Sequence, residues 1–390
     1  MLALRAGLIF DGERLLGPGL LLTEGGRIVD IDTTGAAPPA LATIVDLGPG
    51  SFLLPGLIDA HVHLAFGASA DVVGALERVD DEALLAGMRE SACRALWAGV
   101  TTVRDLGDRN YVSLALREQF ARPGVLGPEI VASGPPITTR RGHCHFLGGE
   151  CEGEGALRAA VRERAERGCD VVKVMVSGGN ITPGSQPHES QYGLADLRAI
   201  VDEAHRSGLP AAGHVHGAGA VADAVEAGFD TLEHVTFFTA DGVEADPAVM
   251  ERIAREGVVV SVTSGSVPAL GTPPPAIVQR AAAILENHGR LRRAGVRMIP
   301  GTDAGLSPGK PHDVLPYGLS SLVEQVGMTT AEALRAATSV AAAAIGLSGR
   351  KGRLVAGADA DLLAVRGNPL DDIGAVHKVE AVFRAGQRVR

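Results

Sequence analysis

From Ile28 to Leu54, short apolar runs are interrupted by Gly, Pro and Asp and never settle into a helical period, the pattern of a β-rich segment. At Pro55 the rhythm changes. Eight short apolar or β-branched runs follow: Gly56–His61, Val100–Leu106, Glu129–Ser133, Asp170–Val176, Leu209–His214, Thr231–Val235, Gly257–Val262 and Val296–Thr302. They alternate with stretches of helical length such as Asp81–Ala98, Glu154–Arg167, Leu194–Arg206, Ala218–Ala227 and Ala276–Arg293. Strands alternating with helices in this way predict an α/β chain folded as a (β/α)8 TIM barrel, expected over residues 55–347. The rival, an open doubly wound sheet, would carry a glycine-rich phosphate turn after its first strand, and none follows here. After a last helix, Thr330–Ile345, a link at Gly346–Gly352 returns the chain to β character at Gly352–Leu354, Asp361–Arg366 and Val379–Arg384. The two ends, residues 1–54 and 348–390, are therefore expected to form one small β-sandwich beside the barrel. The Pro/Gly/Ser-rich stretch Gly265–Pro275 reads as a lid or rim loop.

Composition narrows the functional classes. Apolar residues are 46% and charged residues 21%, which fits a soluble globular chain and excludes disorder. The net charge of −10 argues against a nucleic-acid binder. No apolar run approaches the ~20 residues of a membrane helix, and no secretion signal opens the chain. The four cysteines, Cys93, Cys144, Cys151 and Cys169, form no CxxC pair, so a reduced, cytoplasmic protein is expected. Lysine occurs only at Lys173, Lys310, Lys351 and Lys378, and aromatics are 3%. A GC-rich genome accounts for both biases.

The chemistry-bearing residues fall at the ends of the apolar runs. Asp59-Ala60-His61-Val62-His63 closes the first. Alternate residues of a strand share a face, so His61 and His63 point together, and at the C-terminal end of a barrel strand they point into the mouth. Two imidazoles presented together suit a divalent metal such as zinc, although a lone HxH is as readily a pair of hydrogen-bonding strand-end residues. Lys173 lies within Val171–Val176, a run expected to be buried on both faces, where an unpaired ammonium is costly. One solution is a neutral amine that takes up CO2, giving a carbamate able to bridge two metals. The alternative is a lysine that snorkels or pairs with Asp170 or Glu233. The fifth run ends at His214, the sixth holds Glu233 and His234, and the eighth ends at Asp303. Six donors at strand ends on one face of a barrel point to a metal site.

HxH after the first strand, Lys at the fourth, His at the fifth and sixth and Asp at the eighth together resemble the metal-dependent amidohydrolase superfamily over essentially the whole chain. The entry Leu54–His61 and the closing Gly357–Leu362 look like that family's terminal β domain. Gly99–Asp105 and Lys173–Gly179 are most similar to imidazolonepropionase-related members, a branch that includes dipeptidases removing C-terminal Pro, Arg or Lys. The resemblance implies that His61, His63 and Asp303 hold one divalent ion, that His214 and His234 hold a second, and that carboxylated Lys173 bridges them, zinc being the preferred metal. His216 is left out of this set on the expectation that it faces the other side of its strand. Asp303 is then the proton acceptor, and His143, in the loop after the third strand, polarises the substrate carbonyl. Arg140 or Arg141 in the same loop would grip a substrate carboxylate, with a solvated loop as the alternative. Tyr192 is expected to line the pocket, with His188 and Gln191 beside it.

One position departs from the pattern. Related dipeptidases carry a tyrosine three residues after the sixth-strand histidine; here it is Phe237, counted with the substrate-binding residues but without a donor. The leading expectation is a binuclear hydrolase of an amide or C–N bond in a small substrate, a dipeptide or N-acyl amino acid. Cyclodehydration or ring opening of a small heterocycle, a mononuclear deaminase-like site and a metal-free binding protein are the alternatives. The expected partner is a small-molecule substrate, with no nucleic acid or membrane. A homo-oligomer is left open.

Overall fold

The structure is a computed structural model that describes residues 1–270 and 275–390. Sixteen strands run in chain order among the described residues: β1 Leu2–Phe10, β2 Leu15–Glu24, β3 Arg27–Asp32, β4 Thr43–Asp46, β5 Ser51–Pro55, β6 Leu57–Val62, β7 Val100–Asp105, β8 Glu129–Ala132, β9 Val172–Met175, β10 Ala211–Gly217, β11 Thr231–Phe238, β12 Val259–Val262, β13 Met298–Pro300, β14 Leu362–Arg366, β15 Val379–Arg384 and β16 Gln387–Arg388. Strands β6 to β13 coincide with the eight apolar runs. All but the first residue of β8 are buried along these strands, as expected of parallel strands covered on both faces.

These eight strands form two parallel sheets, β6-β7-β8 and β9-β10-β11-β12-β13, rather than one continuous closed ladder. The sheets meet at two single bridges, Val62 with Ala304 and Ile137 with Val174. At one seam Asp303 N donates to His61 O at 2.8 Å and His63 N to Ala304 O at 3.0 Å. Asp303 has φ of 59°, which ends the extended strand and limits this seam to one bridge. At the other seam Pro135 and Pro136 precede Ile137 and bring no N–H to a ladder. The interior is nonetheless shared. Ile58, Ala60, Val131, Ala212, Val259 and Ile299, drawn from both sheets, pack in one cluster against Ala341, Ala342 and Ile345.

The helices Glu154–Arg167, Leu194–Arg206 and Ala218–Ala227 match the sequence pattern. Those at Val72–Glu77, Val112–Phe120, Pro247–Glu256 and Leu315–Glu324 were not singled out from it, being short or without a complete polar face. The expected helix Thr330–Ile345 starts at a capping box of Thr329 and Glu332 but is broken by a π turn at Ala336–Val340. There Thr338 Oγ1 donates to Leu334 O at 2.6 Å, four residues back, and Ser339 Oγ donates to Gly12 O, so side chains enter the helical ladder.

The two chain ends do fold together, as one eight-stranded sheet in the order β16-β15-β14-β5-β1-β2-β3, with β4 paired to β1. Antiparallel pairing of β5 with β14 joins the N-terminal and C-terminal parts. The sheet's β3 end turns back, so that Ile28 exchanges backbone hydrogen bonds with Gly357 and Ala358 ahead of β14. Strands β1 and β2 lie upstream of the segment from which β structure was read. Gly352–Leu354 is not a strand: Leu354 N donates to Asp11 O at 2.9 Å and the Arg353 guanidinium reaches Asp11, which holds this segment as a loop. Of the lid candidate Gly265–Pro275, residues 271–274 lie outside the described residues; Val267 N donates to Gly309 O at 2.8 Å.

Lys351 fastens this sheet to the start of β8. Its side chain is 2% exposed and pairs with Glu129 at 2.9 Å, Asp359 at 2.8 Å and Asp361. Lys351→Met leaves these carboxylates without their central cation and should destabilise the fold by about 3–5 kcal/mol. Urea unfolding measures this, and a midpoint unchanged from the wild type would show that Arg350 and Arg384 suffice.

Candidate metal centre

The ends of β6 and β13 bring the first donor group together. One ligand atom from each of His61, His63 and Asp303 lies within 4.8 Å of the other two, and all three residues are buried. His61 Nε2 and His63 Nε2 face each other at 3.3 Å, and Asp303 Oδ1 is 3.4 Å from each. Two neutral imidazoles cannot both donate across such a contact, and Asp303 Oδ1 has no aligned hydrogen bond. The outer nitrogens are occupied instead. His63 Nδ1 meets Gly107 O at 3.3 Å, and His61 Nδ1 faces Glu233 Oε2 at 3.1 Å. Gly301 makes the approach of β13 to His61 feasible, because a Cβ there would stand 2.5 Å from the His61 Cβ.

His214 and His216 on β10 and His234 on β11 form a second group of the same compactness. His214 Nδ1 faces His234 Nε2 at 2.9 Å, while His214 Nε2 takes Gly178 O at 3.1 Å and His234 Nδ1 takes Thr263 Oγ1 at 2.7 Å. His216 corrects the expectation drawn from sequence. Residues two apart in a strand share a face, so His216 sits beside His214, its ring stacked on His234 at 4.4 Å between centroids. The groups adjoin, with the His61 and His234 rings 5.2 Å apart.

Lys173 rises between them from β9. It is buried, and its Nζ has no hydrogen-bond partner. The anions offered as its partners are engaged elsewhere: Asp170 pairs with Arg117 at 2.6 Å and Glu233 with Arg104 at 2.8 Å. Burial lowers the amine to about 8, against an ordinary lysine near 10.5. Burial likewise lowers His61 and His216 to about 4 and His143 to about 3, and takes His214 and His234 well below 6.5. Burial thus favours the neutral form of these imidazoles, the form in which a histidine can ligate a metal. Burial alone would raise Asp303, but His61 and His63 hold its carboxyl well below the usual range. Donor nitrogens without donors opposite, a carboxylate without an aligned partner and a stranded amine fit divalent metal. Backbone strain marks the same places, with positive φ at His234 (73°), Val235 (49°) and Asp303 (59°).

The remaining sequence candidates divide. The His143 ring lies 4.7 Å from that of His214, and its Nδ1 is unpartnered. Gly179 gives it room, since a Cβ there would stand 2.2 Å from His143 Nε2. Gln191 fixes the loop by accepting from His143 N and donating to Met175 O at 2.8 Å. Arg140 and Arg141 are exposed, and neither guanidinium has an ion-pair partner among the described residues. Tyr192 is buried with its hydroxyl on Cys151 O at 2.8 Å, a contact that fastens the loop. Phe237 is packed in the apolar core, and no ring contact joins it to the histidines. Of the two neighbours it is Phe238 that meets them, stacked on His216 at 5.5 Å. Its neighbour's positive φ of 55° breaks the alternation that would have assigned these rings from sequence.

Buried nitrogen and oxygen donors gathered at the ends of parallel strands define an α/β protein whose chemistry sits at that rim. The chain belongs to the amidohydrolase family, whose model matches residues 52–389. Ochratoxinase of Aspergillus niger is 30% identical over 97% of this chain and 83% of its own. Imidazolonepropionase of Paracoccus denitrificans is 28% identical over 90% of this chain and 88% of its own. A crystal structure of a Xaa-Pro dipeptidase with bound methionine superposes with a TM-score of 0.87 at 27% identity, over 100% of this chain and 99% of that one. The likeness to the imidazolonepropionase and dipeptidase branch read from sequence therefore holds. Among the described residues no helix is long and apolar enough to cross a membrane.

A buried carboxyl pair lies beside the segment that follows His63. Asp105 accepts from Leu64 N and Gly107 N, both at 3.1 Å, and Asp108 accepts from Ser113 N at 2.5 Å while its Oδ1 has no partner. Burial pushes both carboxyls up, and the Asp105 charge raises Asp108 further. A folded-state value above the unfolded ~3.9 means that the native chain keeps a proton the unfolded chain has released. That contribution is full below about pH 4 and declines as pH climbs toward the native value. Asp108→Asn should therefore raise the melting temperature much more at pH 8 than at pH 5. Calorimetry at the two pH values checks this, and equal shifts at both would show that Asp108 does not titrate in this range.

Proposed function

We propose that this chain is a binuclear metal-dependent amidohydrolase that cleaves an amide bond in a small substrate carrying a free carboxylate, of the dipeptide or N-acyl amino acid class. The observation that carries this reading is the unpartnered Lys173 amine standing between two compact donor groups. His61, His63 and Asp303 would hold one ion, His214 and His234 the second with His216 alongside, and Lys173, as its carbamate, would bridge them. Nitrogen and carboxylate donors suit zinc. When bound, the ions supply Lewis acidity to the substrate carbonyl and acidify the attacking water toward a pKa of ~7. The eight strands β6–β13 are read as one (β/α)8 barrel over residues 55–347, with residues 1–54 and 348–390 as its β-sandwich companion.

The chain's own residues carry the remaining steps. Asp303 Oδ1 takes the proton of the attacking water and passes it to the leaving nitrogen. Neutral His143 donates a ring N–H to the substrate carbonyl oxygen, a role left to it alone because Phe237 has no hydroxyl. The unpaired guanidinium of Arg140 or Arg141 grips the substrate carboxylate as a two-pronged fork. The loop carrying His143 over Gly179 excludes water from the carbonyl. The class of substrate is supported by these free cations and by the Xaa-Pro dipeptidase among similar structures.

Product analysis on a panel of dipeptides and N-acyl amino acids tests the reaction class, and a chain that leaves the whole panel intact would favour the cyclisation reading. Lys173→Ala should abolish turnover and reduce bound metal to about one ion or fewer per chain, because the bridging ligand is lost. Elemental analysis and initial rates report this together, and unchanged turnover would remove the binuclear mechanism. Asp303→Asn should keep much of the metal while kcat falls by roughly 10²-fold or more, since an amide cannot accept the proton. A near-normal rate in that variant would contradict the base assignment.

A further inference from the structure

Among the five histidines of the two donor groups, His61 alone has a carboxylate behind its ring. The outer nitrogens of His63 and His214 meet the carbonyls of Gly107 and Gly178, and those of His216 and His234 meet the hydroxyls of Thr236 and Thr263. His61 Nδ1 lies 3.1 Å from Glu233 Oε2, close but short of hydrogen-bond alignment, and neither atom has any other partner. Glu233 is fully buried, and its other oxygen receives Arg104 Nη2 at 2.8 Å and Thr231 Oγ1 at 3.0 Å. Arg104 is itself 2% exposed, and its remaining donors are used on Ala60 O at 2.6 Å and Thr231 Oγ1 at 3.1 Å. Ala60 is the residue before His61, so one guanidinium fixes both the backbone beside the ligand and the carboxylate behind it.

A charged pair this deep is hard to account for as a device for stability. Taking both ions out of water offsets most of their attraction, and apolar residues of the same volume serve a core as well. A neutral histidine can carry its proton on either nitrogen, and a carboxylate at Nδ1 selects the form whose Nε2 lone pair is free. In His61 that lone pair faces His63 Nε2 and Asp303 Oδ1.

We propose that Arg104 and Glu233 are positioning residues that hold His61 with its proton on Nδ1 and so raise the affinity of the His61, His63 and Asp303 group for its ion, selectively over the His214 and His234 group. This rests on the metal-centre reading given above. Arg104 supplies the positive charge that keeps Glu233 anionic in the interior, and Glu233 transmits it to the ring as a hydrogen-bond acceptor.

Two measurements separate this from a purely structural role. In metal-free protein labelled with 15N-histidine, long-range 1H–15N correlation reads the His61 tautomer, assigned by its loss in His61→Gln. The proton is expected on Nδ1, and a proton on Nε2 overturns the inference whether or not the chain binds metal. In zinc-loaded protein, release to a coloured chelator is expected in two phases. Glu233→Gln should speed one phase about 10–100-fold and leave the other unchanged. Equal acceleration of both phases, or of neither, overturns the proposal. Should Glu233→Gln fold poorly around an unpaired Arg104, Arg104→Met/Glu233→Gln removes both charges at near-constant volume and should show the same one-phase effect with an unaltered melting curve. A wild-type chain that takes up no zinc overturns the metal-centre reading instead, and the tautomer then decides the inference.

Discussion

Lys173 sets the terms for the rest of the centre. An amine in the interior of a parallel sheet, with Asp170 and Glu233 already committed to arginines, has no inexpensive way to stay charged. Glu233 and Asp303 act on its charge from a distance, but neither hydrogen-bonds it. The amine faces two clusters of imidazoles and one carboxylate held strongly acidic by His61 and His63. Such a grouping is unfavourable as a packed core, and its donors are of the kind that could hold a cation. The cost falls locally, since the apolar clusters around and beneath the strands are continuous and well buried.

Where the donors sit, the backbone departs from regular strand geometry. His234 and Asp303 adopt left-handed φ values of 73° and 59°, and the β-branched Val235 follows at 49°. Each of these costs of order 1–3 kcal/mol unless neighbours over-determine it. Here they do: Asp303 N is tied to His61 O, and His288 Nε2 meets His234 O at 2.9 Å. The same departure that aims Asp303 at the histidines leaves a single bridge at this seam. Site geometry and sheet continuity therefore compete at this seam, and the site prevails.

How much of this was legible in sequence follows from which physical rule applied. Parallel strands buried on both faces write themselves as apolar runs, so β6 to β13 and the positions of His61, Lys173, His214, His234 and Asp303 could be read directly. His216 was misplaced although the two-residue period of a strand already put it beside His214. Phe238 could not be told from Phe237 because the positive φ values after His234 reset the alternation, and nothing in composition announces them. The contact of the Tyr192 hydroxyl with the Cys151 carbonyl depends on where two long loops meet, which has no local signature. Sheet pairing at the termini was legible only as β character, since the partners lie more than 300 residues apart in sequence.

The two donor groups are built from unlike materials, and this bears on how the site divides its labour. One contains Asp303 and is backed by the Glu233 carboxylate, with the Arg104 charge one step removed. The other is backed by two threonine hydroxyls and a carbonyl, all uncharged. The first group therefore presents more negative charge to whatever it holds than the second does. His143, whose ring approaches His214 and not His61, stands on the side of that second group. The asymmetry of the buried polar partners is thus fixed by the fold itself, before any ligand is bound.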